Sequence, residues 1–227
     1  MDDHIRIMRR QWEINSETFR DRIGMTGRRP SEEEFQQTVR DLAVKIRVHD
    51  PGIRGVLDVG CNNGYLMKCL NPAASEIIGV DFCHLPLQDA QNINPAMRYV
   101  QGEITRLPFS DRRFDRVLCY NMFHYLPDME TALTACRELF RVLASGGRMV
   151  IGDLFTIEHR HLIPEADQTR WNSPDRPLMH QMKNWLFVSA TGMVHLFTDL
   201  AAHRVDLQPQ AGDIRCPGYR YDLIVDK

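Results

Sequence analysis

A short apolar segment of this sequence runs directly into a glycine-bearing turn, at residues 56–65 (VLDVGCNNGY). Gly60 removes a side chain where a ligand must come close, and the turn presents backbone N–H groups at the start of a helix. A pyrophosphate site would have the spacing G-x-G-x-x-G, whereas this turn has G-x-x-x-G with Asp58 just before it. Because a carboxylate repels phosphate, the turn suits an ammonium or sulfonium ligand.

A second acid follows at a spacing typical of nucleoside sites. Asp81 comes directly after the apolar run Ile77–Val80. It lies about 20 residues beyond the glycine turn, where an acid can accept hydrogen bonds from both ribose hydroxyls. Taken alone, Asp81 is typical of a solvated loop residue. Taken together, the turn and the acid favour a ligand site.

These residues lie within a region of short apolar runs separated by helical stretches. The runs are Val56–Val59, Ile77–Val80, Met97–Val100, Arg116–Cys119 and Met149–Ile151. Such alternation predicts a parallel sheet covered on both faces. The pattern from Asp128 to Leu143 predicts an outer helix that stops at Ser145–Gly147.

The flanking regions predict helices and a closing hairpin. Ser31 and Glu34 form a capping box at the start of one helix, and a shorter amphipathic helix is predicted upstream around Trp12 and Phe19. Beyond Asp153, a polar stretch punctuated by prolines leads into a predicted helical region that contains Trp185. The remaining elements are a helix at 193–202 and two strands, at 203–207 and 221–225, that favour a hairpin.

Several ordered motifs resemble the class I S-adenosylmethionine-dependent methyltransferases, in the small-molecule group that includes ubiquinone and menaquinone methyltransferase-like enzymes. The resemblance covers roughly residues 50–155. It rests on 56–64, 79–81, 107–111 (LPFSD), 114–115 (FD), 120–126 and 141–147 (RVLASGG).

The resemblance implies S-adenosylmethionine as cofactor, S-adenosylhomocysteine as product, and one role for each matching residue. The residues implied to bind the cofactor are Asp58, Gly60, Cys61, Asn62, Asp81, Phe82, Glu103, Ile104, Tyr120 and Asn121. The turn would border the methionine moiety, Asp81 would hold the ribose and Phe82 would flank the adenine. Glu103 and Ile104 would lie at the adenine edge, and Tyr120 and Asn121 near the methyl group.

Two positions depart from the family pattern. Asn62 stands where a glycine is usual, and asparagine tolerates positive φ better than most residues. Glu103 stands where an aspartate is usual, so it keeps the charge but adds a methylene.

The implied fold is α/β, a Rossmann-like three-layer sandwich with a mostly parallel seven-stranded sheet, a closing antiparallel hairpin and a helical cap. We expect one domain over 1–227. Its parts are an N-terminal helical cap (1–50), a cofactor-binding core (51–155), a substrate-cap insertion (156–190) and a C-terminal helix with strands (191–227).

Composition argues for a cytoplasmic protein that does not bind nucleic acid. The formal net charge is −2 and six cysteines are scattered without a C-x-x-C pair, which is typical of a reduced protein without a basic binding surface. No apolar run reaches the length of a membrane span. Carboxylates are not grouped as a metal site would need, so no metal is predicted.

The methyl acceptor is expected to contact the variable segments. His124, just after the fourth strand, is the candidate base, with His159 and His161 as further options and structural packing as the alternative. The candidate acceptor-binding residues are Trp12, Phe19, Arg22, Arg28, His124, Asp153, Trp171, Arg176 and Trp185. Aromatic and arginine side chains suit a planar or sugar-like acceptor with an acidic group.

The predicted function is O- or N-methylation of a small molecule, in the biosynthesis of a natural product or modified sugar. Three alternatives stay open. A nucleotide-dependent oxidoreductase would share the strand–glycine–helix pattern, a non-catalytic scaffold would share the fold, and an RNA or protein methyltransferase would share the chemistry. Homodimerisation is a further option.

Overall fold

The secondary structure of the computed structural model is defined over residues 3–18, 31–211 and 218–227. Within these ranges the helices are α1 (Asp3–Thr18), α2 (Glu32–Ile46), α3 (Tyr65–Leu70), α4 (His84–Ile93), α5 (Met129–Val142), α6 (Glu165–Trp171) and α7 (Ala190–Asp199). The strands are β1 (Gly55–Val59), β2 (Glu76–Asp81), β3 (Arg98–Gln101), β4 (Phe114–Tyr120), β5 (Leu143–Phe155), β6 (Arg204–Pro209) and β7 (Arg220–Asp226).

The strands form one sheet in the order β3-β2-β1-β4-β5-β7-β6. Strands β1 to β5 are parallel, whereas β7 is antiparallel to both β5 and β6. The strand order reverses between β1 and β4, and open sheets of this kind bind ligands beyond the carboxyl ends of the strands at that point. The predicted fold class, including the closing hairpin, is confirmed.

Successive strand residues point to opposite faces of the sheet and meet different helices. On one face Leu57 and Val117 belong to the cluster that contains Leu139 of α5 and Phe197 of α7. On the other face, strand residues such as Val56 join a cluster with α2, through its residues Phe35, Leu42 and Ile46. Both faces of the sheet are therefore covered, as the apolar runs predict.

Helix caps fix where the outer helices begin. Ser31 Oγ accepts a hydrogen bond from Glu34 N at 3.2 Å, and Ser31 N donates to Glu34 Oε2 at 2.7 Å, so the predicted capping box is confirmed. Asp128 caps α5 by accepting from Thr131 N at 2.8 Å.

The outer helix predicted over Asp128–Leu143 is confirmed as α5, with Asp128 as its N-cap and Leu143 as its C-cap. The predicted stop signal, Ser145–Gly147, lies beyond the end of the helix, because β5 already begins at Leu143. Gly147 lies inside this strand. The position requires a glycine because an added Cβ would meet the carbonyl oxygen of Ala144 at 2.8 Å and that of Asp115 at 3.1 Å. The last helix is also displaced, to 190–199 from the predicted 193–202.

The predicted helical region through Trp185, Leu186 and Phe187 is wrong, because a short 3-10 helix, Met182–Asn184, ends before Trp185 and the residues that follow are extended. Leu186 N donates to the carbonyl oxygen of His124 at 2.9 Å, and Val188 N donates to that of Phe155 at 2.9 Å. These backbone groups pair with other parts of the chain, so they are not available for a helix. The segment thereby lies against the ends of β4 and β5.

The L-P-F-S-D motif holds the connection into β4 against α5. Arg141 donates to the carbonyl oxygens of Leu107 and Phe109 at 3.1 and 2.8 Å, and Leu107 N donates to Glu138 Oε2 at 2.9 Å. The Arg141 side chain, as hydrogen-bond donor, also lowers the pKa of Glu138. This motif therefore anchors the amino end of β4 to α5.

No helix among the described residues combines the length and the apolar character needed to cross a membrane.

Candidate active site

The glycine turn after β1 is bound to the end of β2. Gly60 N and Cys61 N both donate to the carbonyl oxygen of Val80, at 2.8 and 3.1 Å. Gly60 and Asn62 have φ of 77° and 48°, a left-handed conformation that glycine and asparagine adopt at low cost. The turn therefore keeps its shape although Asn62 replaces the usual glycine.

Asp81 ties this turn to the loop after β2. Its Oδ2 accepts from Asn62 N and its Oδ1 accepts from Cys83 N, both at 2.9 Å. A carboxylate oxygen has two lone pairs. Both oxygens can thus accept one further hydrogen bond each, as a ribose diol would require.

Two buried carboxylates give this site a strong preference for positive charge. Asp58 and Asp81 are only 3% and 7% exposed. Burial, with the neighbouring Asp81 charge, raises the pKa of Asp58 to about 7, and burial raises the pKa of Asp81 to about 6. In the part of the chain that the structure describes, no basic side chain is paired with either carboxylate.

Helix α1 contacts the position predicted for the adenine. The Arg9 guanidinium is 5.9 Å from the centre of the Phe82 ring, and its Nη2 is 3.7 Å from Glu103 Oε1. Trp12 is buried in a cluster with Cys83, against which Phe82 packs. The sequence analysis missed Arg9, because one arginine among several on a polar helix carries no distinguishing signal.

The end of β4 lies beside the turn. An added Cβ on Gly60 would meet Met122 Cγ at 3.2 Å, so a glycine is needed there. Tyr120 Oη accepts from Gln210 Nε2 at 3.0 Å, and Asn121 has φ 58°. The structure therefore brings Tyr120 and Asn121 to the edge where the methionine end of the cofactor is predicted.

Asp153 is engaged in a buried ion pair that the sequence analysis missed. Arg220 Nη1 donates to both carboxylate oxygens of Asp153, at 2.5 and 2.6 Å. Both residues are almost completely buried. An acceptor contact at Asp153 stays a prediction, and it would have to compete with this pair.

His124 lies in an aromatic cluster at the carboxyl ends of β4 and β5. The residue is 3% exposed, and its ring centre lies 4.0 Å from that of Tyr125 and 4.8 Å from that of Trp185. Tyr125 Oη is 3.0 Å from His180 Nδ1, and the Trp12 ring is edge-on to both. Three distant segments, namely α1, the β4 end and the cap, thus converge here.

The other candidate residues differ in placement. Trp171 and Trp185 contact each other with ring centres 5.2 Å apart, and the Arg176 guanidinium lies 4.4 Å from the Trp171 ring. His159 hydrogen-bonds Thr156 at 2.7 Å and stacks on Tyr221. Phe19, Arg22 and Arg28 lie outside the described residues.

Among the described residues, no group of three or more histidine, cysteine, aspartate or glutamate side chains is arranged to hold a metal ion.

Comparison with known families decides the nature of the core. A family model described as a methyltransferase domain matches residues 57–151, which include the turn, Asp81 and the end of β4. Residues 57–151 are therefore similar in sequence to a methyltransferase domain. All ten cofactor residues implied by the motifs lie within this matched segment.

Three relatives illustrate the similarity. Demethylmenaquinone methyltransferase of Deinococcus radiodurans is 32% identical over 142 residues, which cover 55% of this chain and 57% of the relative. The N-methyltransferase NodS of Bradyrhizobium japonicum, solved with S-adenosylhomocysteine, has a TM-score of 0.61 at 16% identity, covering 99% of this chain and 97% of NodS. The methyltransferase in complex with the activator Trm112 of Haloferax volcanii has a TM-score of 0.65 at 18% identity, covering 86% and 91%.

The structural neighbours share the fold of the methyltransferase domain and its flanking elements. The chain spans about half the length of the curated relatives it matches, from 38% to 57%.

Proposed function

We propose that this protein is a methyltransferase that transfers the methyl group of S-adenosylmethionine to an oxygen or nitrogen atom of a small molecule. The supporting observation is the pair of buried carboxylates, Asp58 and Asp81, beside a glycine turn. Without a paired basic side chain among the described residues, the two acids favour a ligand that itself carries positive charge, as an ammonium and a sulfonium do.

Each cofactor residue has a role that its position supports. Asp81 accepts from the ribose hydroxyls with the lone pairs left by its two backbone donors. Asp58 stabilises the ammonium group of the methionine moiety, and the Gly60 backbone leaves room for it. On the adenine side, Phe82 and Ile104 pack against the base while Glu103 accepts from its amino group.

For the methyl transfer itself, the main contribution of the protein is to align the acceptor with the methyl group. When bound, the cofactor supplies an electrophilic methyl group on a sulfonium. The chain aligns the acceptor with this methyl group, which can contribute several orders of magnitude in rate. For an acceptor hydroxyl, His124 takes the proton, and Trp12, Trp171 and Trp185 exclude water from the site.

A small acceptor is supported by the closed character of the aromatic cluster and by the name of the quinone-methylating relative. Biosynthesis of a natural product or modified sugar remains our proposal for the pathway. We further propose a cytoplasmic homodimer. Light scattering on the purified protein tests the dimer, and co-purification with an activator such as the archaeal neighbour's Trm112 would point to that partner instead.

Calorimetric titration with S-adenosylmethionine and S-adenosylhomocysteine tests the proposed function. We expect micromolar binding, weakened about 10- to 150-fold by Asp81→Asn, because a hydrogen bond to a charged group contributes about 1.5–3 kcal/mol. Asp89→Asn on the exposed face of α4 is the matched control. Tight binding of NADH with no binding of either sulfur nucleoside would replace this proposal with the oxidoreductase alternative.

A further inference from the structure

The indole of Trp171 in the cap is surrounded by guanidinium groups. The guanidinium carbons of Arg176, Arg170 and Arg220 lie 4.4, 5.3 and 5.5 Å from the centre of its ring. Arginine often stacks on tryptophan, so one such contact is ordinary. Three around one buried indole concentrate positive charge at a single place.

Two buried donors at this place have no acceptor. Trp171 Nε1 and Arg220 Nε make no hydrogen bond within the described part of the chain, although these residues are only 3% and 1% exposed. Buried polar groups are nearly always hydrogen-bonded, and an unsatisfied one destabilises the protein. Oxygen atoms from a ligand would satisfy both donors.

The charges nearby also favour an anion. Asp153 is bound by Arg220, and Asp167 is bound by Arg170 at 2.8 Å and by the Tyr219 hydroxyl at 2.9 Å. Among the described residues around the ring, three guanidinium groups therefore face two carboxylates that are already engaged. The net charge of these groups around the Trp171 ring is therefore positive.

A surface groove of about 450 Å³ lies beside the same cluster. Ile163 and Met182 line the groove and also pack in the cluster of Trp171 and Trp185. Arg160, His161 and Lys183 line it as well, and the described lining contains no carboxylate side chain. An acidic ligand is attracted to this entrance and then meets an apolar floor.

We propose that the cap binds a carboxylate group of the methyl acceptor, with Trp171 Nε1 and Arg220 Nε donating to its two oxygens. A planar carboxylate matches donors presented from an indole and a guanidinium. Trp185 connects this place to His124, because the Trp171–Trp185 and Trp185–His124 ring centres are 5.2 and 4.8 Å apart. The acceptor is therefore a carboxylic acid whose nucleophile lies on the His124 side of this aromatic cluster. Its role as acceptor depends on the function proposed above.

Calorimetry with small acids tests this inference. The probes are benzoate, 3-phenylpropionate and decanoate, each compared with its neutral primary amide, with S-adenosylhomocysteine present. We expect at least one acid to bind about tenfold more tightly than its amide, as expected for hydrogen bonds to a charged group. If no acid is preferred over its amide, the inference is wrong.

Two conservative variants test whether Trp171 and Arg220 cause the preference for the acid over its amide. Trp171→Phe removes one donor and keeps a ring, and Arg220→Lys removes Nε while keeping a cation for Asp153. Each should reduce binding of the preferred acid about tenfold, whereas Arg98→Lys, a solvent-exposed arginine on β3, should leave it unchanged. A preference that survives in both variants would overturn the assignment, and the acid–amide comparison in the parent protein stands even where a variant does not fold.

The proposed function and this inference fail in different ways. If S-adenosylhomocysteine does not bind, the methyltransferase proposal fails, and titration of the acids alone still tests the carboxylate site. If S-adenosylhomocysteine binds and no acid is preferred, only the carboxylate site is lost.

Discussion

Asp58 and Asp81 stand at the carboxyl ends of the neighbouring strands β1 and β2, where both are removed from water. A buried carboxylate resists ionisation, and a second one beside it resists more. The pKa of Asp58 is raised from 3.8 to about 7 for these two reasons. The negative charges of these two buried carboxylates therefore destabilise the site until a cation binds.

This arrangement predicts a linkage between pH, stability and cofactor binding. The folded chain keeps the Asp58 proton up to about pH 7, whereas the unfolded chain releases it near pH 3.8. The contribution of Asp58 to the free energy of unfolding is therefore fully present below pH 3.8 and decreases as pH rises towards 7. A cationic ligand lowers the pKa, so binding near pH 6.5 should release protons and strengthen as pH rises.

Asp58→Asn should separate the effect of pH on stability from its effect on cofactor binding. We expect the variant without ligand to be more stable than the parent at pH 8, by up to about 4 kcal/mol, with the difference vanishing near pH 4. Its affinity for S-adenosylmethionine should fall and its proton release should disappear, as measured by calorimetry in buffers of different ionisation enthalpy. Equal proton release in parent and variant would assign the linkage to another group; Asp89→Asn is the control.

Single residues were predictable where the chain itself fixes their position. Gly60, Asn62 and Asp81 lie within a strand–turn–helix unit or directly after a strand, so type and spacing identify them. Arg9 and Arg220 were missed, because each acts on a partner from a distant segment: Arg220 pairs with Asp153, 67 residues away. Local patterns carry no information about such pairs.

At the scale of elements, α1 depends on one anchor for its position. Trp12 is its most buried described residue and packs with Cys83 and Met179. The outer face of the helix is exposed, with Ile7 at 53%. Arg9, on the inner side, can reach Phe82 and Glu103 only while this anchor holds.

Trp12→Ala should release α1 without unfolding the sheet. Replacing a buried tryptophan by alanine costs about 3–5 kcal/mol, which exceeds what the few remaining contacts of one helix supply. Hydrogen exchange should accelerate in residues 3–18 and stay slow in β1 to β5, and S-adenosylhomocysteine should dissociate faster. Ile7→Ala on the outer face is the matched control, and equal exchange in the two variants would contradict this account.

The cap shows why some elements could not be predicted. The helices α2 and α5 have apolar residues at helical spacing and side chains that cap their first turns, so their starts follow from local sequence. Residues 185–188 have neither, and their backbone is held by contacts with His124 and Phe155. The backbone hydrogen bonds of such an extended segment go to distant parts of the chain, so its own sequence shows no hydrophobic periodicity.

Across the whole molecule, a buried chain of charges joins α2 to the centre of the sheet. Lys45 Nζ donates to Asp222 Oδ2 at 2.7 Å, Asp222 Oδ1 accepts from Asp153 N at 2.8 Å, and Asp153 binds Arg220. Gln210 connects this chain to Tyr120 at the site. The sequence predicts the sheet but not this network, because Lys45 and Asp222 are 177 residues apart.

Lys45→Met should destabilise the protein strongly because it leaves Asp222 buried and unpaired. Breaking one partner of a buried ion pair costs about 3–5 kcal/mol. The double variant Lys45→Met/Asp222→Asn should recover part of this loss, since asparagine still accepts from Asp153 N without carrying charge. Urea denaturation measures the stability of both variants, with Lys68→Met, at an exposed position of α3, as the control. Additive losses in the double variant would show that the pair is not coupled.

The position of β7 between β5 and β6 has a consequence for synthesis. Strands β1 to β5 can assemble as they leave the ribosome, but the open edge of β5 and the ion pairs Lys45–Asp222 and Arg220–Asp153 are completed only by residues 220–226. Until those residues emerge, the nascent sheet presents an open edge and uncompensated buried charge, a state prone to pairing with other chains. The sheet can therefore be completed only after residues 220–226 have left the ribosome, and chaperone binding should be concentrated on nascent chains that have not reached that point.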